Sequence, residues 1–150
     1  MKVVAVYSTK GGVGKTTAAV NLAWEASKEF HVLLWDLDPQ GAATYLLNVK
    51  PKVKGGVGSL VSGDNKDGRA IRPSGFQNLD VLPADASYRE FDLVLDHAKR
   101  SGRRIAKLLA DVAGDYDVVI LDCPPSLGFL TLSALCAARS VLVTIHPQML

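Results

Sequence analysis

The sequence predicts an α/β fold: a doubly wound, mainly parallel sheet with helices on both faces. Short apolar runs rich in β-branched residues recur along the chain, at residues 3–7, 32–35, 79–82, 116–121 and 141–145. Stretches with helical spacing lie between most of them, and this alternation implies right-handed βαβ units. A glycine-rich turn stands where the first apolar run gives way to the first helical stretch, a junction at which α/β proteins bind ligands.

The bulk numbers agree. A chain of 150 residues is one domain's length, and a domain of that size buries roughly 68–70% of its unfolded surface. Hydrophobic residues at 48% and charged residues at 21% are ordinary for a globular protein. A net charge of +2 neither demands nor excludes nucleic acid, because a binding patch depends on local clustering. Cys123 and Cys136 form no CxxC pair, which argues against a metal or redox motif and fits a reducing cytoplasm. The N-terminus reads as a strand rather than a cleavable leader. No apolar run approaches the roughly 18 residues that span a bilayer, so no membrane association is expected.

Residues 3–7 read as a buried parallel strand. Residues 16–28 carry Ala19, Leu22, Ala23 and Ala26 at helical spacing. Residues 32–35 form the second strand, and 42–47 a short helix. The stretch 48–77, rich in Gly, Lys, Asp and Pro, reads as mostly loop with a helical turn around 57–61. A strand at 79–82 ends at Pro83, and residues 88–113 are helical with a break near Ser101-Gly102. A strand at 116–121, a helix at 127–138 and a strand at 141–145 complete the order.

The strongest motif is Lys10-Gly11-Gly12-Val13-Gly14-Lys15-Thr16-Thr17, which follows a strand and opens a helix. Glycines let backbone amides approach phosphate oxygens without Cβ clashes. The helix N-terminus adds free donors and a positive dipole end. Lys15 can set a point charge on the β- and γ-phosphates, and the Thr16 hydroxyl can ligate Mg²⁺. The plain alternative is a turn with solvated lysines; two lysines flanking three glycines at a strand–helix junction argue against it. The general phosphate-loop pattern fails at its first glycine, where Thr9 stands, and a lysine follows at position 10.

This deviant loop, K-G-G-x-G-K-T, resembles that of the ParA/MinD family of P-loop, Rossmann-like ATPases. The resemblance implies that Lys10 reaches the nucleotide across a face-to-face dimer. The stretch Asp36-Leu37-Asp38-Pro39-Gln40-Gly41 is similar to the family's first switch. Asp38 is thereby implied to orient the attacking water and Asp36 to act near magnesium; the alternative is that either merely caps the helix at 42–47. Asp122 closes the apolar run Val118-Val119-Ile120-Leu121, the arrangement in which a carboxylate holds Mg²⁺. The following Cys123-Pro124-Pro125-Ser126-Leu127-Gly128 is similar to the second switch of ParA and Soj proteins and unlike the D-x-P-A-G form of MinD. The stretch 128–150 is also similar to ParA-type plasmid partition proteins.

What the resemblance implies is an ATP- and Mg²⁺-dependent ATPase whose homodimer forms with ATP and resets on hydrolysis, in plasmid or chromosome segregation. It further implies a ParB-type partner protein, nonspecific DNA binding, and a cytoplasmic, nucleoid-associated location. The expected domain is a single ParA-type unit over 1–150, lacking the family's C-terminal part. That part supplies adenine contacts and much of the DNA-binding surface, so DNA binding and turnover are open for this length. Two other readings remain: a MinD-like positioning ATPase, and a nucleotide-binding module without turnover. Lys99, Arg100, Arg103 and Arg104 form a basic cluster that reads as a solvated helix face before it reads as a DNA contact. His146 has no second ligand near it in sequence. Trp24 and Trp35 read as packing residues, and Cys123 as part of the switch motif rather than a nucleophile.

Overall fold

The structure, a computed structural model, describes residues 1–51, 70–90 and 104–147. Six strands form one sheet in the order β3-β4-β2-β5-β1-β6. They are β1 (Lys2–Tyr7), β2 (Val32–Asp36), β3 (Arg72–Pro73), β4 (Leu79–Leu82), β5 (Val118–Asp122) and β6 (Ser140–Val143). Every pairing is parallel except that of the two-residue β3 with β4. The described helices are α1 (Lys15–Ala26), α2 (Ala42–Leu46), α3 (Arg104–Ala110) and α4 (Phe129–Ala137), with a 3₁₀ turn at Ala86–Glu90.

Strand side chains alternate between faces, and this splits the interior into two cores. Val6, Val32, Leu34, Val81 and Ile120 pack on one face against Ala19 and Ala23 of α1 and Ala43 of α2. Val3, Ala5, Leu33, Trp35, Val119 and Leu121 pack on the other against Ile105 and Leu109 of α3 and Leu130 and Ala134 of α4. The sheet is therefore covered on both sides, as a doubly wound fold requires. α3 and α4 are further joined where the Ile105 amide donates to the Ser133 hydroxyl at 3.1 Å. At one end of the sheet β6 pairs only with β1, and all four of its residues are exposed, including Val141, Leu142 and Val143.

Three expectations change. Residues 72–73, read as loop, add an antiparallel strand to β4. Of the helix expected over 88–113, the described residues show a 3₁₀ turn at Ala86–Glu90 and α3; at the turn the Asp85 side chain accepts the Ser87 amide and hydroxyl. Trp24 is not a core residue: it is 42% exposed on α1, with the Lys28 ammonium 4.1 Å from its ring centroid. Of the residues at helical spacing on α1 only Ala19 and Ala23 are buried, with Lys15, while Leu22 is exposed like Trp24. Trp35 is buried as expected. The turn around 57–61 and Lys99, Arg100 and Arg103 lie outside the described residues.

Candidate functional site

The three central strands set the site. β5 lies between β1 and β2, with Val6 beside Asp122 on one side and Asp36 beside Asp122 on the other. Their ends are tied together: the Leu37 amide donates to the Asp122 carbonyl at 3.0 Å, and the Cys123 amide to the Val6 carbonyl at 3.1 Å. The loops that follow these strands thus leave the sheet side by side. They are the glycine-rich turn, the Asp36–Gly41 segment and the Asp122–Gly128 segment.

The glycine-rich turn arches from Ser8, whose hydroxyl accepts the Lys10 amide at 3.4 Å, to Gly14, which caps α1 in the left-handed conformation at φ 83°. Gly12 is also left-handed, at φ 72°. A Cβ at Gly11, Gly12 or Gly14 would meet nothing within 4 Å. These backbones line open space, the room that a phosphate group needs to reach the amides. Lys15, on the first turn of α1, is buried and folds back so that its ammonium donates to the Lys10 carbonyl at 3.1 Å. The loop is therefore closed around a cation, with the unsatisfied amides of the first turn of α1 beside it. Lys10, Gly11 and Thr17 are exposed, while Val13 and Thr16 are half-buried.

Asp122 is 1% exposed, and neither carboxylate oxygen has a full hydrogen-bond partner. Burial pushes its pKa up to about 7; a marginal interaction with the Thr16 hydroxyl works against this, the charges of Asp36 and Asp38 add to it, and Lys15 opposes it. A buried carboxylate with little protein hydrogen bonding, beside a threonine hydroxyl, supplies hard oxygen ligands of the kind a magnesium ion takes. The residues present fit a magnesium ion on that observation. Cys123, next in sequence, has its thiol pushed up to about 12 by burial and then by Asp122, so it is not an activated nucleophile.

Asp36 behaves differently. It is fully buried, and its Oδ2 accepts the Thr44 amide at 2.8 Å and the Thr44 hydroxyl at 2.7 Å. Its Oδ1 accepts the Asp38 amide at 3.2 Å. Burial raises its pKa and the Thr44 bonds lower it. Three protein donors thus occupy the carboxylate expected near magnesium, one of them the Thr44 amide in the first turn of α2, whose N-cap residue is Gly41. Asp38 is half-buried, with Oδ1 accepting the Gln40 amide at 2.9 Å. The sequence reading missed Thr44 altogether. Its only signal was a hydroxyl residue three positions into a helix after a carboxylate-rich turn. His146 is exposed, and no group of three or more potential metal-ligating His, Cys, Asp or Glu occurs among the described residues. None of the described helices is long and apolar enough to cross a membrane.

Comparison with known proteins agrees with this geometry. The AAA-domain family model matches residues 1–150. The chromosome partitioning protein ParA of Myxococcus xanthus is 38% identical over 147 residues, covering 97% of this chain and 52% of that protein. The sporulation initiation inhibitor protein Soj of Bacillus subtilis is 40% identical, covering 97% and 58%. Among solved structures, cobyrinic acid a,c-diamide synthase from Mycobacterium smegmatis, with bound ATP analogue and magnesium, superposes with a TM-score of 0.89. It is 37% identical, over 97% of this chain and 58% of that one. The chain spans about half the length of such relatives.

Proposed function

Because the chain belongs to the AAA-domain family over its whole length and resembles the ParA and Soj proteins within it, we propose that it is the nucleotide-switch portion of a partition ATPase. The observation that carries this is the closed loop around Lys15 set against the buried, weakly hydrogen-bonded Asp122. One element offers amides and a positive charge to a triphosphate; the other offers a carboxylate to its counter-ion. The ATP analogue and magnesium of the synthase structure support the same ligands here.

In this reading the amides of residues 11–17 bind the phosphates, and Lys15 shifts from the Lys10 carbonyl to the β- and γ-phosphates. Thr16 and Asp122 would hold Mg²⁺, which when bound would neutralise charge developing on the phosphate oxygens. Asp36 adds negative charge nearby without giving up its protein donors. Asp38 accepts a hydrogen bond from water and orients it in line with the γ-phosphate. Lys10, exposed at the start of the loop, is placed to meet a nucleotide held by a second copy. The segment Asp122–Gly128 carries Pro124 and Pro125, which restrict it to moving as a unit when the γ-phosphate leaves. ATP binding then favours the dimer and hydrolysis resets it. A ParB-type protein as stimulator, DNA as the surface acted on and a cytoplasmic location complete the proposal, and these rest on the family likeness alone.

The test is ATP turnover and ATP-dependent dimerisation of wild type, Lys10→Ala, Lys15→Ala and Asp38→Ala. Lys15→Ala should lose the nucleotide response. Asp38→Ala should bind and dimerise yet hydrolyse at least roughly tenfold more slowly. Lys10→Ala should bind ATP but dimerise poorly. Unchanged turnover in Lys15→Ala would refute the phosphate-loop assignment, and binding without turnover in wild type would leave a nucleotide-gated module.

A further inference from the structure

We infer that Thr44 is a positioning residue for Asp38, acting through Asp36; the inference rests on the hydrolytic role proposed above for Asp38. Four hydrogen bonds link the turn after β4 to Asp38, and three of them converge on the buried Asp36 carboxylate. The Ala84 amide, just past β4, donates to the Thr44 hydroxyl oxygen at 2.8 Å. That hydroxyl donates its single proton to Asp36 Oδ2 at 2.7 Å, and the Thr44 amide donates to the same oxygen at 2.8 Å. The other oxygen of Asp36 accepts the Asp38 amide at 3.2 Å.

Thr44 is 1% exposed and Asp36 fully buried, so water does not replace a lost partner. A hydroxyl has one proton and accepts through its lone pairs. With its acceptor side turned to Ala84, the proton of Thr44 is committed to Asp36. Asp36 in turn fixes the backbone from which the Asp38 side chain extends. The far side of the same loop is clamped as well. The Gly41 amide donates to the Asp38 carbonyl at 2.9 Å, and a Cβ at Gly41 would stand 3.5 Å from the Ala84 Cβ. The turn after β4 is therefore a buttress for the loop that carries Asp38, and Thr44 is the joint between them. Removing the hydroxyl takes away one of the three donors to Asp36 and its link to Ala84, which loosens the hold of that carboxylate on the Asp38 backbone.

A purely structural role for Thr44 would lower stability without moving Asp38. The experiment separates the two. Thr44→Val and Thr44→Ser are compared with wild type for nucleotide affinity, kcat and amide hydrogen exchange at residues 36–44. Thr44→Val should lower kcat roughly ten- to hundredfold, the cost of a small misplacement, with nucleotide affinity within about twofold. The Asp38 amide should exchange roughly tenfold faster in Thr44→Val, and Thr44→Ser should restore both. Wild-type kcat with unchanged exchange in Thr44→Val overturns the inference. If the wild type shows no turnover, the hydrolytic reading has failed, and the exchange data decide the positioning claim: equal Asp38 protection in wild type and variant rejects it. If Thr44→Val does not fold, Thr44→Ala carries the same readouts.

Discussion

Asp36 and Asp122 stand in register at the ends of adjacent strands, yet one carboxylate is saturated with donors and the other has almost none. Both are buried, so solvent does not explain the difference. Asp36 accepts three hydrogen bonds from its own chain. Asp122 has only a marginal interaction with the Thr16 hydroxyl and is the stronger candidate to meet a cation.

The imbalance has a pH signature. The pKa of Asp122 rises from 3.8 to about 7 on folding. A raised carboxylate pKa contributes stability that is present below the unfolded value and lost as pH rises through the folded one. Without metal or nucleotide, the protein should therefore be less stable at pH 8 than at pH 5, by on the order of 2 kcal/mol. Asp122→Asn should flatten that dependence and be the more stable protein at pH 8. Urea melts in a chelator at the two pH values measure it. Parallel curves for the two proteins would remove the buried charge as the cause.

The glycines of the phosphate loop should separate fold from function. Gly11 has no left-handed φ and open space around it, so Gly11→Ala should change stability by less than about 0.5 kcal/mol. It should nonetheless weaken ATP binding, because the methyl group enters the space the phosphates need. Gly14→Ala must hold φ 83° at the start of α1 and should cost about 1–2 kcal/mol as well as binding. Thermal melts with and without Mg·ATP read both effects. An equal nucleotide response in wild type and Gly11→Ala would show that the open space is not the binding space.

The two thiols should react very differently. Cys136 is exposed, whereas Cys123 is buried with its thiol pushed up to about 12. At pH 8 the folded protein should give one equivalent of reactive thiol to a disulfide reagent, and a second only on unfolding. Two fast equivalents in the native protein would mean that the segment after β5 opens readily.

Trp35 and Tyr88 offer a test of the buttress. The Trp35 indole N–H donates to the Tyr88 hydroxyl at 3.2 Å, and that hydroxyl donates to the Pro83 carbonyl at 3.4 Å. Tyr88→Phe leaves a buried indole N–H without this acceptor, at a cost of about 1–3 kcal/mol. Chemical denaturation followed by Trp35 fluorescence, with Trp24 replaced, should show the loss. An unchanged midpoint would demote the pair to simple packing.

Much of this was legible in the sequence, and the reasons are local. The runs at 3–7 and 32–35 announce buried strands because parallel strands covered on both faces must be apolar throughout. The phosphate loop is legible because its glycines and lysines have few other uses at a strand–helix junction. Asp122 is legible from the apolar run before it. Asp36 was harder, since a carboxylate after a strand can serve a metal or a helix, and only the fold reveals Thr44 beside it. The Ala84 amide could not be read at all: any residue but proline has one, and only β4 pairing with β2 brings it to α2. Leu22 misled because spacing gives a helix face without saying how far the partner layer extends, and Trp24 because a large apolar side chain was expected to be buried.

Among the described residues β6 pairs only with β1, and this bears on how ATP-driven pairing is assayed. Its outer row of amides and carbonyls is a template on which another molecule can add a strand, and Val141, Leu142 and Val143 make that contact sticky. Self-association through this rim would grow with protein concentration and ignore the nucleotide. Sedimentation across a dilution series without ATP is therefore the baseline above which any ATP-driven pairing has to rise.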